Sequence, residues 1–101
     1  MTRVIVSPEA DADFLGIVDR LTDLAGHSVA SGYVSDLRSI YQRLSTFPEI
    51  GSPRPRLGSR VRIVVLLPYV VIYEYLSRED AVRIIRIVDG RRSITRRLVS
   101  R

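Results

Sequence analysis

The sequence contains no cysteine, no lysine and no tryptophan, and its single histidine is His27. The absence of cysteine excludes a disulfide framework and thiolate chemistry, and it suits a reducing cytoplasm. The absence of lysine makes every basic side chain an arginine, which binds carboxylates and phosphates but does not accept protons. Candidates for a general base are therefore few, and we expect His27 to be an exposed turn residue.

Long hydrophobic runs and metal or phosphate motifs are also missing. The longest nearly apolar stretch, residues 63–73, is interrupted by Pro68 and is about half as long as a transmembrane helix. The chain reaches Glu9 before a signal-peptide core can form. No cysteine–histidine cluster and no glycine-rich phosphate loop is present. We expect a cytoplasmic protein without membrane contact, cofactor or metal.

The remaining composition is that of one globular domain. The 101 residues are 46% hydrophobic and 27% charged, which is enough for one hydrophobic core but not for two. We therefore predict a single domain, residues 1–101. The formal net charge is +5, which is compatible with nucleic acid, the ribosome or an acidic protein as the partner.

The N-terminal half predicts a strand and two helices. Residues 2–6 form the strand, and Ser7 as N-cap with Pro8 at the first helical position starts a helix that ends at Gly26. A second helix from about Ser28 to residue 47 completes an antiparallel hairpin. We expect Glu9, Asp13 and Asp19 to form a solvated acidic face of the first helix. We also expect Gly32 to allow the two helices to pack closely.

The C-terminal half predicts a three-stranded meander over residues 60–92, broken at Pro68 and at the polar turn 77–80. This turn places Glu74 opposite Arg83, a favourable cross-strand pair. Alternation then gives two mostly apolar faces. One carries Tyr69, Val71, Tyr73, Tyr75, Val82, Ile84, Arg86 and Val88, and the other carries Val70, Ile72, Leu76, Ile85 and Ile87. We expect the helices to cover one face and too little chain to remain for the other.

The order of elements predicts an α+β fold, in which a helical hairpin packs on a mainly antiparallel sheet. The proline- and glycine-rich residues 48–58 predict an irregular crossover. The arginine-rich tail after residue 90 predicts either a short docked helix or a frayed basic end. The tyrosines of the meander are expected to be packing residues. Arg86 lies on an apolar strand face, so it must pair, reach an edge or line a polar groove.

Four ordered motifs resemble the RelE/ParE superfamily of bacterial toxins. They are Ser7-Pro8-Glu9-Ala10 with Asp13, Leu44-x-x-Phe47-Pro48-x-x-Gly51, Pro68-Tyr69-Val70-Val71-x-Tyr73 and Arg86-x-x-Asp89-Gly90-Arg91-Arg92. Each motif alone is weak, but together they span nearly the whole chain in the same order. The resemblance implies the RelE/ParE fold and the toxin component of a type II toxin–antitoxin system.

The resemblance implies one of two activities. RelE-like members are ribosome-dependent endoribonucleases that cut mRNA, whereas ParE-like members inhibit DNA gyrase by binding. RelE-like toxins carry a catalytic arginine where this chain has Val70, and they use lysines or a C-terminal tyrosine that are absent here. These departures favour a non-enzymatic gyrase inhibitor, which is the main hypothesis. Asp89 and Ser93 depart from the ParE-like pattern, which often has histidine and aspartate at these positions. The alternative is an endoribonuclease that would use Arg86, Arg92 and Tyr73.

The resemblance also implies partners. These are a cognate antitoxin of the ParD type or similar with an acidic C-terminal segment, DNA gyrase, and operator DNA contacted only through the antitoxin in a hetero-oligomer. For gyrase contact we predict Arg91, Arg92, Arg96 and Arg97. For antitoxin contact we predict Arg60, Arg62, Tyr73, Arg83 and Arg86. A third hypothesis is a nucleic-acid-binding module carried by the basic tail, with strongly salt-dependent binding.

Overall fold

The computed structural model describes residues 1–99. Within them it has three helices and five strands. In chain order these are β1 Arg3–Val6, α1 Pro8–Ala25, α2 His27–Thr46, β2 Ser52–Pro53, β3 Val61–Leu66, β4 Tyr69–Leu76, β5 Ala81–Asp89 and α3 Arg96–Val99. No helix in this range is long and apolar enough to cross a membrane. Arg101 of the predicted basic tail lies outside the described residues.

The five strands form one mixed sheet in the order β1-β5-β4-β3-β2. β3, β4 and β5 are the predicted antiparallel meander, with Glu74 opposite Arg83 as expected, and β1 pairs with β5 in parallel. The α+β fold class is thus confirmed. The two-residue strand β2 was not predicted, because the prolines around it argue against a strand, yet a proline is tolerated on an edge strand such as this one.

Ser7 joins β1, α1 and β5. Its hydroxyl accepts a hydrogen bond from the N–H of Ala10 at 3.0 Å, as expected of an N-cap. The same hydroxyl donates to the carbonyl of Ile85 at 2.8 Å, and the Ser7 N–H donates to the carbonyl of Ile84 at 3.0 Å. The start of α1 is therefore fixed directly to the strand beneath it.

Gly26 alone connects the two helices. Its φ of 90° lies in the region that favours glycine, and α2 begins at His27 rather than at Ser28. His27 is exposed, as predicted. The contact predicted at Gly32 was wrong, because a Cβ built there would meet nothing within 4 Å. The side chains that α2 buries are instead Ala30, Leu37, Ile40 and Leu44.

The helices cover the sheet face that carries the tyrosines. The buried residues of this core include Ile17, Leu37, Ile40, Leu44, Tyr69, Val71, Tyr73, Val82, Ile84 and Ile87. The packing role predicted for Tyr69 and Tyr73 is confirmed, since both side chains are buried.

A β-bulge changes the faces of β5 from those predicted. Ile72 pairs with Arg86 and Tyr73 pairs with Ile84, so Ile85 is an extra residue in β5. Beyond the bulge, Ile87 joins the core beneath the helices, whereas Val88 packs on the second face. The prediction had these two residues the other way round because it assumed an uninterrupted ladder.

The second sheet face is covered by the chain's own proline loop (residues 48–60) and C-terminal segment (residues 89–99). Leu57 from the loop and Ile94, Leu98 and Val99 from the segment pack against it. The buried residues beneath them are Val61, Val70, Ile72, Ile85 and Val88. The expectation that too little chain remained was therefore wrong, because one loop leucine and three apolar residues of the C-terminal segment suffice for this narrow face. Of the two alternatives for the tail, the structure has the docked helix.

Asp13 connects α1 to the bulge of β5. Its Oδ2 accepts a hydrogen bond from Nε of Arg86 at 2.7 Å, and its Oδ1 accepts one from Nη2 at 2.9 Å. Oδ2 also accepts one from the N–H of Ile87 at 3.0 Å. Only 16% of the Asp13 side chain is exposed, so the prediction of a solvated position was wrong. Asp13 follows Ala10 by three residues and precedes Ile17 by four, which places it on the buried side of the helix.

Tyr73 anchors the proline loop to the core. Its hydroxyl donates to the carbonyl of Pro48 at 2.9 Å and accepts from the N–H of Gly51 at 2.9 Å. A Cβ at position 51 would lie 2.6 Å from the Tyr73 ring and hydroxyl and 2.7 Å from the carbonyl oxygen of Ile63. The loop reaches this close only because residue 51 is glycine.

We predict opposite effects for alanine at two glycines. Gly51→Ala should lower the free energy of unfolding by about 2 kcal/mol, because its methyl group collides with Tyr73 and disturbs the two hydroxyl hydrogen bonds. Gly32→Ala should raise it by about 0.5–1 kcal/mol, since the new methyl group faces open space on a helix. Urea unfolding of both variants measures the difference, and an unfolding free energy unchanged by Gly51→Ala would contradict the close approach of the loop.

The Asp13–Arg86 contact gives a second stability prediction. Asp13→Asn should lower the free energy of unfolding by about 2 kcal/mol, because it leaves a largely buried guanidinium without its counter-charge. Asp19→Asn on the exposed side of the same helix is the control and should change stability by less than about 0.5 kcal/mol. Chemical denaturation at neutral pH compares them, and equal small effects would show that the ion pair contributes nothing.

Candidate functional site

The two layers of the protein carry opposite charge. Residues 8–46, which form the hairpin, hold six acidic residues and three arginines. Residues 47–99, which form most of the sheet and everything on its second face, hold five acidic residues and eleven arginines. Arginine is thus in excess on the sheet, the proline loop and the C-terminal segment and not on the hairpin, and a partner with negative charge would approach there.

Four of the arginines predicted to bind partners are engaged within the chain. The ion pairs are Arg62 with Glu49 at 3.5 Å, Arg83 with Glu74 at 3.1 Å, Arg86 with Asp13 at 2.7 Å and Arg91 with Asp89 at 2.6 Å. Arg60, Arg92 and Arg97 are exposed and form no ion pair with any residue of 1–99. The side chain of Tyr73, which was also predicted to contact the antitoxin, is buried and does not reach the surface of this chain.

Arg91 and Asp89 are joined by three hydrogen bonds at the end of β5. Oδ1 of Asp89 accepts hydrogen bonds from the backbone N–H and Nε of Arg91, both at 2.9 Å, and Oδ2 accepts one from Nη2. These bonds hold the pKa of Asp89 well below its usual range. A carboxylate with so low a pKa is a poor general base near neutral pH. The residue that replaces the family's frequent histidine therefore positions Arg91 instead of moving protons.

The polar groups of Tyr73 and Arg86, two residues of the endoribonuclease hypothesis, are bound to different partners within the fold. The Tyr73 hydroxyl bonds to the proline loop, and burial raises its pKa. The guanidinium of Arg86 bonds to Asp13 of α1, and these hydrogen bonds raise its pKa. Arg92 is exposed beyond the end of β5. Residues 1–99 also contain no group of acidic or histidine side chains that could hold a metal ion.

Two grooves flank α3, and sequence reasoning missed both. The first groove, of about 440 Å³, lies between Arg54 and Arg56 of the proline loop and Ser93, Thr95 and Arg96 of the C-terminal segment. The second, of about 400 Å³, lies between the loop at Arg60 and the other side of α3. The helical spacing of Ile94 and Leu98, four residues apart, indicated that the tail could dock as a helix, but no local signal showed which loop would face it.

The outer edge of β3 is open. β2 pairs only with Arg62 and Ile63, so residues 64–66 have no strand on that side within residues 1–99. Val65 and Leu67 are exposed beside this edge. A cleft of about 300 Å³ between α2 and β3 borders it and includes Arg43. An extended peptide could add a strand here and place its side chains in the cleft.

The comparisons with known proteins agree with this architecture. Residues 4–94 match a family described as the ParE toxin of the type II toxin–antitoxin system parDE. Toxin ParE3 of Caulobacter vibrioides is 34% identical over 98 residues, which are 97% of this chain and 96% of the relative.

A solved structure described as the chromosomal ParDE toxin–antitoxin system from P. aeruginosa has a TM-score of 0.73 with this chain at 24% identity. The match covers 88% of this chain and 96% of the other, and it supports the fold. The family match spans most of this chain, and the curated relative is similar along nearly its full length. The chain therefore belongs to the ParE toxin family of type II toxin–antitoxin systems.

Proposed function

We propose that this ParE toxin inhibits DNA gyrase by binding it, in the cytoplasm, and that a cognate antitoxin reverses the inhibition. Membership of a toxin–antitoxin family implies an antitoxin partner. Gyrase as the target rests on the ParE-like motifs of the sequence. The proposal concerns a binding protein and assigns no catalytic residue.

The internal hydrogen bonds of Tyr73 and Arg86 are the observation that carries this proposal. A nuclease must place a proton acceptor or a metal beside the scissile phosphate. Here the tyrosine hydroxyl is occupied by two backbone groups of the proline loop, and the guanidinium is occupied by Asp13. Position 70, where RelE-like toxins have an arginine, is a buried valine. Binding is therefore better supported than cleavage.

The C-terminal segment is the proposed gyrase contact. Ile94 and Leu98 dock on the sheet, which leaves the predicted arginines at positions 91, 92, 96 and 97 on the outer surface. Arg92 and Arg97 form no ion pair within residues 1–99, so they have no internal partner to give up on binding. Arg91 is already oriented by Asp89.

The proposed antitoxin surface comprises the predicted arginines at positions 60, 62, 83 and 86. Arg60 is exposed, whereas Arg62, Arg83 and Arg86 would have to exchange an internal carboxylate for one of the antitoxin. The open edge of β3 offers a place for an extended segment of the same antitoxin. We expect a hetero-oligomer of toxin and antitoxin that reaches operator DNA through the antitoxin.

The gyrase proposal is tested by supercoiling of relaxed plasmid. We expect this protein to reduce supercoiling and to cause linear DNA to accumulate, and we expect the co-purified antitoxin to restore activity. If the correctly folded protein at high micromolar concentration leaves supercoiling by gyrase unchanged in this assay, the proposal is rejected.

The contact surface is tested by a matched pair of variants. Arg92→Gln with Arg97→Gln should increase the concentration needed for half-inhibition about tenfold, which corresponds to about 1.4 kcal/mol. Arg38→Gln with Arg43→Gln removes the same charge from the hairpin and should leave inhibition unchanged. An equal loss in both pairs would indicate that only net charge matters.

The endoribonuclease alternative gives a different result. It requires mRNA to be cut only when ribosomes are present and cleavage to disappear in Arg92→Gln, while supercoiling by gyrase continues. A ribosome-programmed mRNA cleavage assay with the same preparation distinguishes the two activities.

A further inference from the structure

The two grooves beside α3 share a pattern of charge and shape. In the first, arginines stand on both walls, Arg54 and Arg56 on the loop and Arg96 on the C-terminal segment. The floor between them is apolar and contains Leu57 and Ile94. No carboxylate lines this groove among the described residues. Its ligand should therefore carry negative charge at the rim and an apolar surface beneath.

The second groove continues the first on the other side of α3. Arg96 lines both, and Arg60 lies on the loop wall of the second. Its one acidic side chain, Glu74, is neutralised by Arg83 at 3.1 Å. Arg56 and Arg60 form no ion pair within residues 1–99. Two adjacent basic grooves fit a ligand with repeated negative groups better than one with a single anion.

We propose that these grooves bind the sugar–phosphate backbone of duplex DNA. Successive phosphates would lie against the arginine walls, and the apolar faces of the sugars would lie over Leu57 and Ile94. The acidic hairpin on the opposite side of the sheet would orient the protein with this face toward the duplex. Contacts to phosphates carry no sequence information. Because Arg60 also belongs to the proposed antitoxin surface, this contact is one that the toxin would make when free of antitoxin.

This inference goes beyond gyrase inhibition, and its test uses DNA alone. Fluorescence anisotropy measures binding of the full chain to a labelled duplex of about 20 base pairs and arbitrary sequence, between about 50 and 200 mM salt. We expect log affinity to fall against log salt with a slope of about −3 or steeper, because at least three arginines would each neutralise a phosphate.

A triple variant locates the contact. Arg54→Gln, Arg56→Gln and Arg60→Gln together should make the slope shallower by about 2.7, at about 0.9 per lost phosphate contact. The matched control, Arg20→Gln, Arg38→Gln and Arg43→Gln, removes the same charge from the hairpin and should leave the slope nearly unchanged. Thermal melting confirms that both proteins are folded before they are compared.

Three results would overturn the proposal. The first is no binding of the duplex by the unsubstituted protein at about 50 mM salt. The second is an equal change of slope in the two triple variants, which would reduce the effect to net charge. The third is displacement of DNA by polyglutamate or by inorganic phosphate at constant ionic strength, which would assign the grooves to acidic proteins or to a single anion. None of these results bears on gyrase inhibition, which the supercoiling assay measures separately.

Discussion

The contact between α1 and the bulge of β5 is the constraint that the rest of the structure depends on. A bulge leaves backbone groups of one strand without their regular partners, and here α1 supplies replacements. The Ser7 hydroxyl donates a hydrogen bond to the carbonyl of Ile85. The Asp13 carboxylate accepts hydrogen bonds from the N–H of Ile87 and from the guanidinium of Arg86. The hairpin is thereby fixed in register with the central strands. This same contact determines which apolar side chains of β5 enter each of the two cores.

A second theme is the division of the arginines between internal ion pairs and the outer surface. Arg62, Arg83, Arg86 and Arg91 form ion pairs that hold layers or turns in place. The other arginines of the proline loop and the C-terminal segment line the grooves or are exposed to solvent. Because lysine is absent, each of these side chains keeps its charge at every physiological pH and presents a planar fork suited to carboxylates and phosphates.

Much of the fold followed from local sequence signals. Ser7-Pro8, Gly26 and the polar turn before β5 each specify a backbone conformation, and they correctly predicted the helix start, the hairpin and the Glu74–Arg83 pair. The bulge was not predictable in this way, because it depends on groups of α1 that lie far away in sequence. Asp13 was misjudged for the same reason, although its helical spacing from Ala10 and Ile17 did place it on the buried side. The arginines of the candidate site were predicted from the sequence, but the grooves were not. The grooves form only where the proline loop packs beside the C-terminal segment.

The open edge of β3 has a consequence for the toxin when it is free. An uncovered strand beside exposed Val65 and Leu67 is a template for pairing with another copy of the same chain. Electrostatic repulsion at a net charge of +5 opposes such pairing but weakens as salt rises. Toxin released in bulk would thus be prone to edge-to-edge aggregation, and a partner that covers the edge would also act as its chaperone. The fraction of monomeric toxin would then fall as its own concentration rises.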